Sequence, residues 1–330
     1  MCGEDEVRPH FVVGCPMVHR RVLGSTLKMK VAGEVLRGDA YDLVRDLDPE
    51  SVDLVLTSPP YWGLRSYGLQ HDQTVLDKWT RAGCHLTRTP PYDWYRAHGG
   101  ILGLEPFPAW YIDHLVELFN RLIPALTPYA NAWVNLGDTY FGRWSSIRDE
   151  GRQGIVDGHR IRRRSPSGGY LHDKQLLLLP SRFAIAMQAN GWILRNDLIW
   201  SKGNVSARRE RDRLRLSHEH FFHFVRRTPG ARPTYYYDIR EAEKGARDVI
   251  THSPQGREGV HTASFPPEVI RPRILTSCPP AGLVLDPFCG TGTTVLEALR
   301  TGRRAIGFEL SAEYAALAGS AVAKASSKAG

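Results

Sequence analysis

Apolar residues in this chain come in short runs that alternate with stretches of helical period. "SVDLVLTS" at 51 to 58 is an apolar run of strand length, and "WYIDHLVELFNRLIPAL" places apolar residues at 112, 115, 116, 119, 122 and 123, the stripe of an amphipathic helix. "NAWVNLGD" at 131 to 138 reads as the next strand. A helix over 180 to 189 ("PSRFAIAMQA") stops at Asn190-Gly191, and further strands follow in "WILRNDLIW" and in "HFFHFVR" at 220 to 226. Near the C-terminus "GLVLD", "TTVLEALRTG", "RRAIGFEL" and "SAEYAALAGSAVAKA" run strand, helix, strand, helix, with Gly302 closing the first of these helices. Such alternation predicts an α/β protein built on a mostly parallel sheet.

Residues 1–30 show no period and read as an N-terminal extension. Three stretches, 66–100, 141–172 and 201–262, break the rhythm with the Gly, Pro, Arg and His content of loops and insertions. A chain of 330 residues with 42% hydrophobic content can bury a full core. Its net charge of +8 favours an anionic partner, nucleic acid first. The five cysteines, Cys2, Cys15, Cys84, Cys278 and Cys289, have no C-x-x-C spacing and no histidines at metal-ligand intervals, so neither a disulfide framework nor a metal site is expected. The longest apolar runs, such as "LLLLP" at 176 to 180, fall far short of the roughly 20 residues of a membrane span. The acidic N-terminal opening lacks the features of a secretory signal, and the expected setting is reducing and cytoplasmic.

"GLVLDPFCGTGTTVLEAL" sets Asp286, Phe288, Gly290 and Gly292 between a buried strand and an amphipathic helix. Glycines there let the backbone approach a ligand, and the free N–H groups of a helix start favour an anion. Val295 stands where a dinucleotide fingerprint has its third glycine, and no Gly-Lys-Ser/Thr follows as in a P-loop. The next strand ends in Glu309, about 20 residues on, where an acid accepts hydrogen bonds from ribose hydroxyls. The alternative for the glycines alone is a tight strand-to-helix turn.

"DPFCGTGTT" and "TSPPYW", with the second motif first in the chain, resemble the S-adenosylmethionine-dependent DNA amino-methyltransferases of the β group. The likeness extends through "GDAYDLVRDLDPESVDLVLTSPPYWGLRSYG", "LGLEP", "NLGDTY", "GWILRNDLIWSKGN", "SHEHFFHFVRR", "YYYD" and "FPPEVIRPRI", roughly residues 34 to 316. It implies a Rossmann-like methyltransferase fold with a mostly parallel seven-stranded sheet, helices on both faces and inserted DNA-recognition loops. Residues 31–202 and 263–330 would form one domain, the first part carrying insertions at 66–100 and 141–172, with 203–262 as the target-recognition region. The implied cofactor is S-adenosyl-L-methionine. Phe288, Gly290 and Gly292 would cradle its methionine moiety and Glu309 would bind its ribose, with Asp286 and Thr293 also among the cofactor-binding residues. Asp39 in "RGDA" would lie beside its adenine, and Phe265 and Pro266 would close over it. For Asp39 the alternative is a helix N-cap.

Methylating an exocyclic amine requires that its lone pair be freed from the base ring, and acceptors aimed at the amino hydrogens do this electrostatically. Ser58 offers a hydroxyl and Pro59 a carbonyl. The Pro59-Pro60 pair has fixed φ and no N–H donors, so it holds the geometry stiffly, and Tyr61 is a stacking surface for a base flipped out of the duplex. Standing alone, the tetrad could equally be a Pro-rich turn whose aromatics fill the core. In the resembled family Ser at the first position tends to go with the cytosine N4 amine and Asp with adenine. Cytosine is therefore the expected base, N6 of adenine the alternative, and a catalytically silent DNA-binding protein a further one.

"RIRRR" at 160 to 164 and "RRERDRLR" at 208 to 215 would neutralise phosphates, although charge runs are often only solvated faces. Trp62, Lys202, Arg163, Arg208 and Arg209 are the candidates for contact with the target base or the DNA. The expected partners are double-stranded DNA and a cognate restriction endonuclease, with the enzyme a monomer or loose homodimer.

Overall fold

The computed structural model describes residues 32–63, 71–72, 74–141, 144–146, 160–162, 169–203, 212–227, 232–244, 247–253 and 265–326. The N-terminal extension, Arg163, Arg208 and Arg209 fall outside them. In chain order the elements are β1 (Gly33–Arg37), α1 (Ala40–Leu43), β2 (Val52–Thr57), α2 (Val75–Arg81), α3 (Tyr92–Ala97), α4 (Pro108–Leu122), β3 (Leu126–Leu136), β4 (Trp144–Ser146), β5 (Arg160–Arg162), α5 (Leu179–Ala189), β6 (Trp192–Ser201), β7 (His218–Arg226), α6 (Ile239–Glu243), β8 (Val249–Thr251), α7 (Pro267–Ser277), β9 (Leu283–Asp286), α8 (Thr293–Arg300), β10 (Arg304–Glu309) and α9 (Ala312–Ser326).

The main sheet has the order β1-β10-β9-β2-β3-β7-β6-β8, and β4 pairs with β5 apart from it. β1, β10, β9, β2 and β3 run parallel, β7 is antiparallel to both β3 and β6, and β8 is parallel to β6. The sheet thus has eight strands where seven were expected. The addition is β8, whose three residues are too few to show a period. Both β7 and β8 come from the segment 203–262, the expected target-recognition region.

Strand residues alternate between two cores, as a period of two requires. In β2, Val55 joins a cluster with Leu115 and Phe119 of α4 and Phe183 of α5. Leu54 and Leu56 join the other, with Val269 and Ile274 of α7, Val295 and Leu296 of α8 and Val322 of α9. Helices therefore cover both faces. The 66–100 insertion contributes to the first core, because α2 and α3 bury Trp79, Tyr92 and Tyr95, with Trp79 and Tyr95 edge-on to Trp110 of α4. Helices of two turns or fewer leave no periodic trace, so the segment reads as loop.

Strand polarity decides what meets at one edge of the sheet. The last residues of β2, β3, β9 and β10 lie there, joined by the first residues of antiparallel β7 and the last of β6. Among the described residues no helix is long and apolar enough to cross a membrane.

Candidate active site

β2 and β9 are neighbours in register, with Leu54 opposite Val284 and Val55 opposite Leu285. Their ends are tied together: the hydroxyl of Thr57 donates to Oδ1 of Asp286 at 2.6 Å, and the Phe288 N–H reaches the same oxygen at 3.1 Å. Asp286 is 2% exposed, and burial pushes its carboxyl up to about 6. Glu309, at the end of β10, accepts from the Gly290 N–H at 2.9 Å and the Ser311 N–H at 2.7 Å. Burial raises its carboxyl as well. Gly290 and Gly292 have φ of +53° and +85°, a left-handed conformation that glycine adopts without strain. A Cβ added at Gly290 would meet nothing within 4 Å, so the turn borders open space; one at Gly292 would stand 3.1 Å from the Ala318 Cβ. Phe288 and Thr293 are half-buried beside this turn. Phe265 and Pro266 are buried at the start of α7, with the Phe265 ring 6.0 Å from that of Phe221.

At the end of β2, Ser58 Oγ lies 3.4 Å from Asn135 Oδ1 and 3.5 Å from the Tyr61 hydroxyl. The Tyr61 hydroxyl is 2.9 Å from Asn135 Oδ1 and donates to Glu219 Oε2 at 2.7 Å. Lys202 Nζ sits 2.5 Å from the other oxygen of Glu219. Asn135 donates through Nδ2 to the His220 carbonyl at 3.2 Å, which turns its oxygen towards Ser58 and Tyr61. Burial, and after it the Glu219 charge, raises the Tyr61 phenol well above its ordinary value. The Pro60 carbonyl is engaged by the Tyr111 hydroxyl at 2.9 Å. A Cβ at Gly137 would come within 2.7 Å of Tyr61 Cε2, so the ring packs where only glycine leaves room.

A family model described as DNA methylase matches residues 52–320, from β2 into α9. The chain belongs to this DNA methylase family. The methylase is 35% identical to the type II methyltransferase M.SmaI of Serratia marcescens over 86% of this chain and 89% of that relative. Its identity to the type II methyltransferase M.Cfr9I of Citrobacter freundii is 32%, over 86% of this chain and 85% of the other. The solved PvuII DNA methyltransferase, which is cytosine-N4-specific, matches the fold with a TM-score of 0.59 at 18% identity, over 91% of this chain and 94% of that one.

In this methylase not every residue singled out from the sequence reaches the site. Ser58, Pro59, Pro60 and Tyr61 follow directly on Thr57, whose hydroxyl ties the end of β2 to Asp286 at the start of the turn that carries Phe288, Gly290, Gly292 and Thr293, and Glu309 accepts from the Gly290 N–H of that turn. Trp62 does not join a DNA-facing surface: it is 2% exposed, and its indole N–H donates to the Glu105 carbonyl at 2.9 Å. Its apolar bulk is used in the core. Lys202 reaches the site, but its ammonium is engaged by Glu219. Asp39 lies next to Gly38, whose N–H donates to the Glu309 carbonyl, so it borders the edge of the sheet where β10 ends. There it is the N-cap of α1, accepting from the Tyr41 N–H at 2.9 Å, and it also engages Arg96 and the Tyr92 hydroxyl from α3. Among the described residues no group of His, Cys, Asp or Glu could hold a metal ion.

Sequence reasoning passed over Thr57, Asn135, Gly137 and Glu219. The available signal was polarity inside apolar strands: Asn135 in "NAWVNLGD" and Glu219 in "SHEHFFHFVR" are buried polar groups, which need partners.

Proposed function

We propose that this methylase transfers the methyl group of S-adenosylmethionine to the exocyclic N4 amine of a cytosine flipped out of double-stranded DNA. The observation that carries the reading is the Thr57–Asp286 hydrogen bond, which locks the strand end bearing Ser58 to the first residue of the glycine turn. The cofactor supplies a sulfonium methyl, with sulfur keeping the electron pair of the bond that breaks. Asp286, Phe288, Gly290, Gly292, Thr293 and Glu309 hold it, since the space beyond Gly290 is open and the Glu309 carboxylate, at the end of β10 beside the turn, can accept from a ribose hydroxyl. Phe265 and Pro266 close the pocket from α7.

Ser58 accepts from the amine, helped by the Pro59 carbonyl, and this favours a tetrahedral nitrogen whose lone pair is free to attack. Tyr61 carries the flipped base on its ring, an aromatic contact that offsets about 1–3 kcal/mol of the unstacking. Lys202 and the arginines 163, 208 and 209 are the residues offered for contact with the target base or the DNA, and a restriction endonuclease reading the same sequence is the companion. The base is tested by incubating the protein with plasmid DNA and labelled cofactor, digesting to nucleosides and identifying the product. N4-methylcytosine is expected; N6-methyladenine as the sole product overturns the choice of base.

A further inference from the structure

Glu219 is a buried carboxylate within the first residues of β7, and neither of its two partners is a backbone donor. One oxygen accepts from the Tyr61 hydroxyl at 2.7 Å and the other faces the Lys202 ammonium at 2.5 Å. The strand register makes this arrangement specific. Trp200 of β6 lies opposite Glu219, and Leu136 of β3 lies opposite His220, so Glu219 stands just past the end of β3 where Gly137 leaves its flank bare. A Cβ at Gly137 would lie 2.7 Å from the Tyr61 ring and 3.4 Å from Glu219 Oε1. The glycine thus admits the phenol and the carboxylate together. Burying a carboxylate is costly unless it is paired, and a carboxylate accepting from a phenol makes a short, charge-assisted bond.

We infer that Glu219 is a positioning residue for methyl transfer, acting through the Tyr61 hydroxyl. Two effects follow from its place. It fixes the tilt of the ring against which the base is held, and it sets a negative charge one hydrogen bond behind the face where the amine nitrogen turns cationic. That nitrogen gains the methyl, carries a positive charge, and then releases a proton to water; a fixed anion nearby favours the charged state without reorganising. Lys202 holds the carboxylate in place. This gives the lysine a task at the platform, at the point where β6 leads into the segment assigned to target recognition.

The inference rests on the reading of Ser58–Tyr61 as the base-amine site, and the test separates the two. Single-turnover methyl transfer, cofactor affinity and DNA affinity are measured for Ser58→Ala, Tyr61→Phe, Glu219→Gln and the Tyr61→Phe/Glu219→Gln pair. Glu219→Gln is expected to slow transfer about a hundredfold while both affinities stay within about twofold. Added to Tyr61→Phe, it should slow transfer by no more than about threefold, since its route to the base is already cut. Equal losses from Glu219→Gln in both backgrounds, or a loss of affinity matching the loss of rate, overturn the inference. If Ser58→Ala transfers methyl at the wild-type rate, the base-amine site lies elsewhere and the inference falls with it; if only Glu219→Gln is silent, the inference alone falls. Should Glu219→Gln fail to fold by thermal melting, Lys202→Met/Glu219→Leu replaces both charges by apolar groups of similar size. A folded pair variant with wild-type transfer overturns the proposal, and one that is slow with intact affinities supports it.

Discussion

The two halves of the site are built differently. On the β9–β10 side the carboxylates of Asp286 and Glu309 are held mostly by main-chain N–H groups, those of Phe288, Gly290 and Ser311, with the Thr57 hydroxyl on Asp286 as the side-chain tie to β2. On the β2–β3–β7 side Ser58, Tyr61, Asn135, Glu219 and Lys202 hold one another almost entirely through side chains. The first half is a turn fixed largely by its glycines and its own backbone, with one side-chain tie to β2. The second exists only while four strand ends keep their register. Damage to the first should show in cofactor affinity, and damage to the second in the rate of transfer.

The largest expected effect breaks the halves apart directly. Ser58→Ala should lower the single-turnover rate about 100- to 1000-fold while cofactor affinity stays within about twofold, as when one preorganised electrostatic contact is removed. Asp286→Ala should do the reverse, losing cofactor affinity, because it frees Thr57 and Phe288 and lets the turn shift. Titration of both variants with cofactor, beside rate measurements, checks the division. Equal loss of affinity in the two would mean the halves are not separable.

Next comes the pH dependence of the cofactor half. Burial holds the Asp286 carboxyl at about 6, above its ordinary value of 3.8. Between those values the native protein keeps a proton that the unfolded chain has released, so the stability tied to this group is complete below about pH 4 and is lost as pH rises through 6. The difference in unfolding free energy between wild type and Asp286→Asn, followed by denaturant titration, should fall by about 2.5 kcal/mol from pH 4 to pH 7. A flat difference would show that the carboxyl is not desolvated as the fold places it.

How much of each half was legible in the sequence follows from the same contrast. The turn could be read because its information is local: Asp286, two glycines and an acid about 20 residues on. Six of the eight strands of the main sheet were legible for the same reason; the short β1 and three-residue β8 were not. The base half was read only at Ser58-Pro59-Pro60-Tyr61. Tyr61 meets Asn135 at 74 residues' separation and Glu219 at 158, and no spacing rule links them. Trp62 misled because a large aromatic beside a site has the same letter whether it faces DNA or the core. A pair of alanines sharpens the point. Gly137→Ala drives a Cβ into the Tyr61 ring and should slow transfer about 10- to 100-fold with cofactor affinity intact. Gly290→Ala has open space but a left-handed backbone, so strain of about 1–2 kcal/mol should appear as lower stability and weaker cofactor binding, with the rate at saturation nearly kept.

The smallest effect probes Asp39, which borders the end of β10 but is held by side chains in the manner of the other half. Asp39 caps α1 and faces Arg96, whose guanidinium also makes two bonds to Asp42 at 2.6 and 3.0 Å. Arg96 is 34% exposed, so its ion pairs are screened and worth only about 0.5–1 kcal/mol together. Arg96→Met should therefore lower unfolding free energy by about that amount. Because the cap to the Tyr41 N–H remains, Asp39 should stay in place and cofactor affinity should change by less than about twofold. A tenfold change in either direction would instead make the Asp39 carboxylate a ligand that Arg96 tunes. The α3 insertion would then be part of cofactor recognition, and the cofactor half would depend on a distant side chain as much as the base half does.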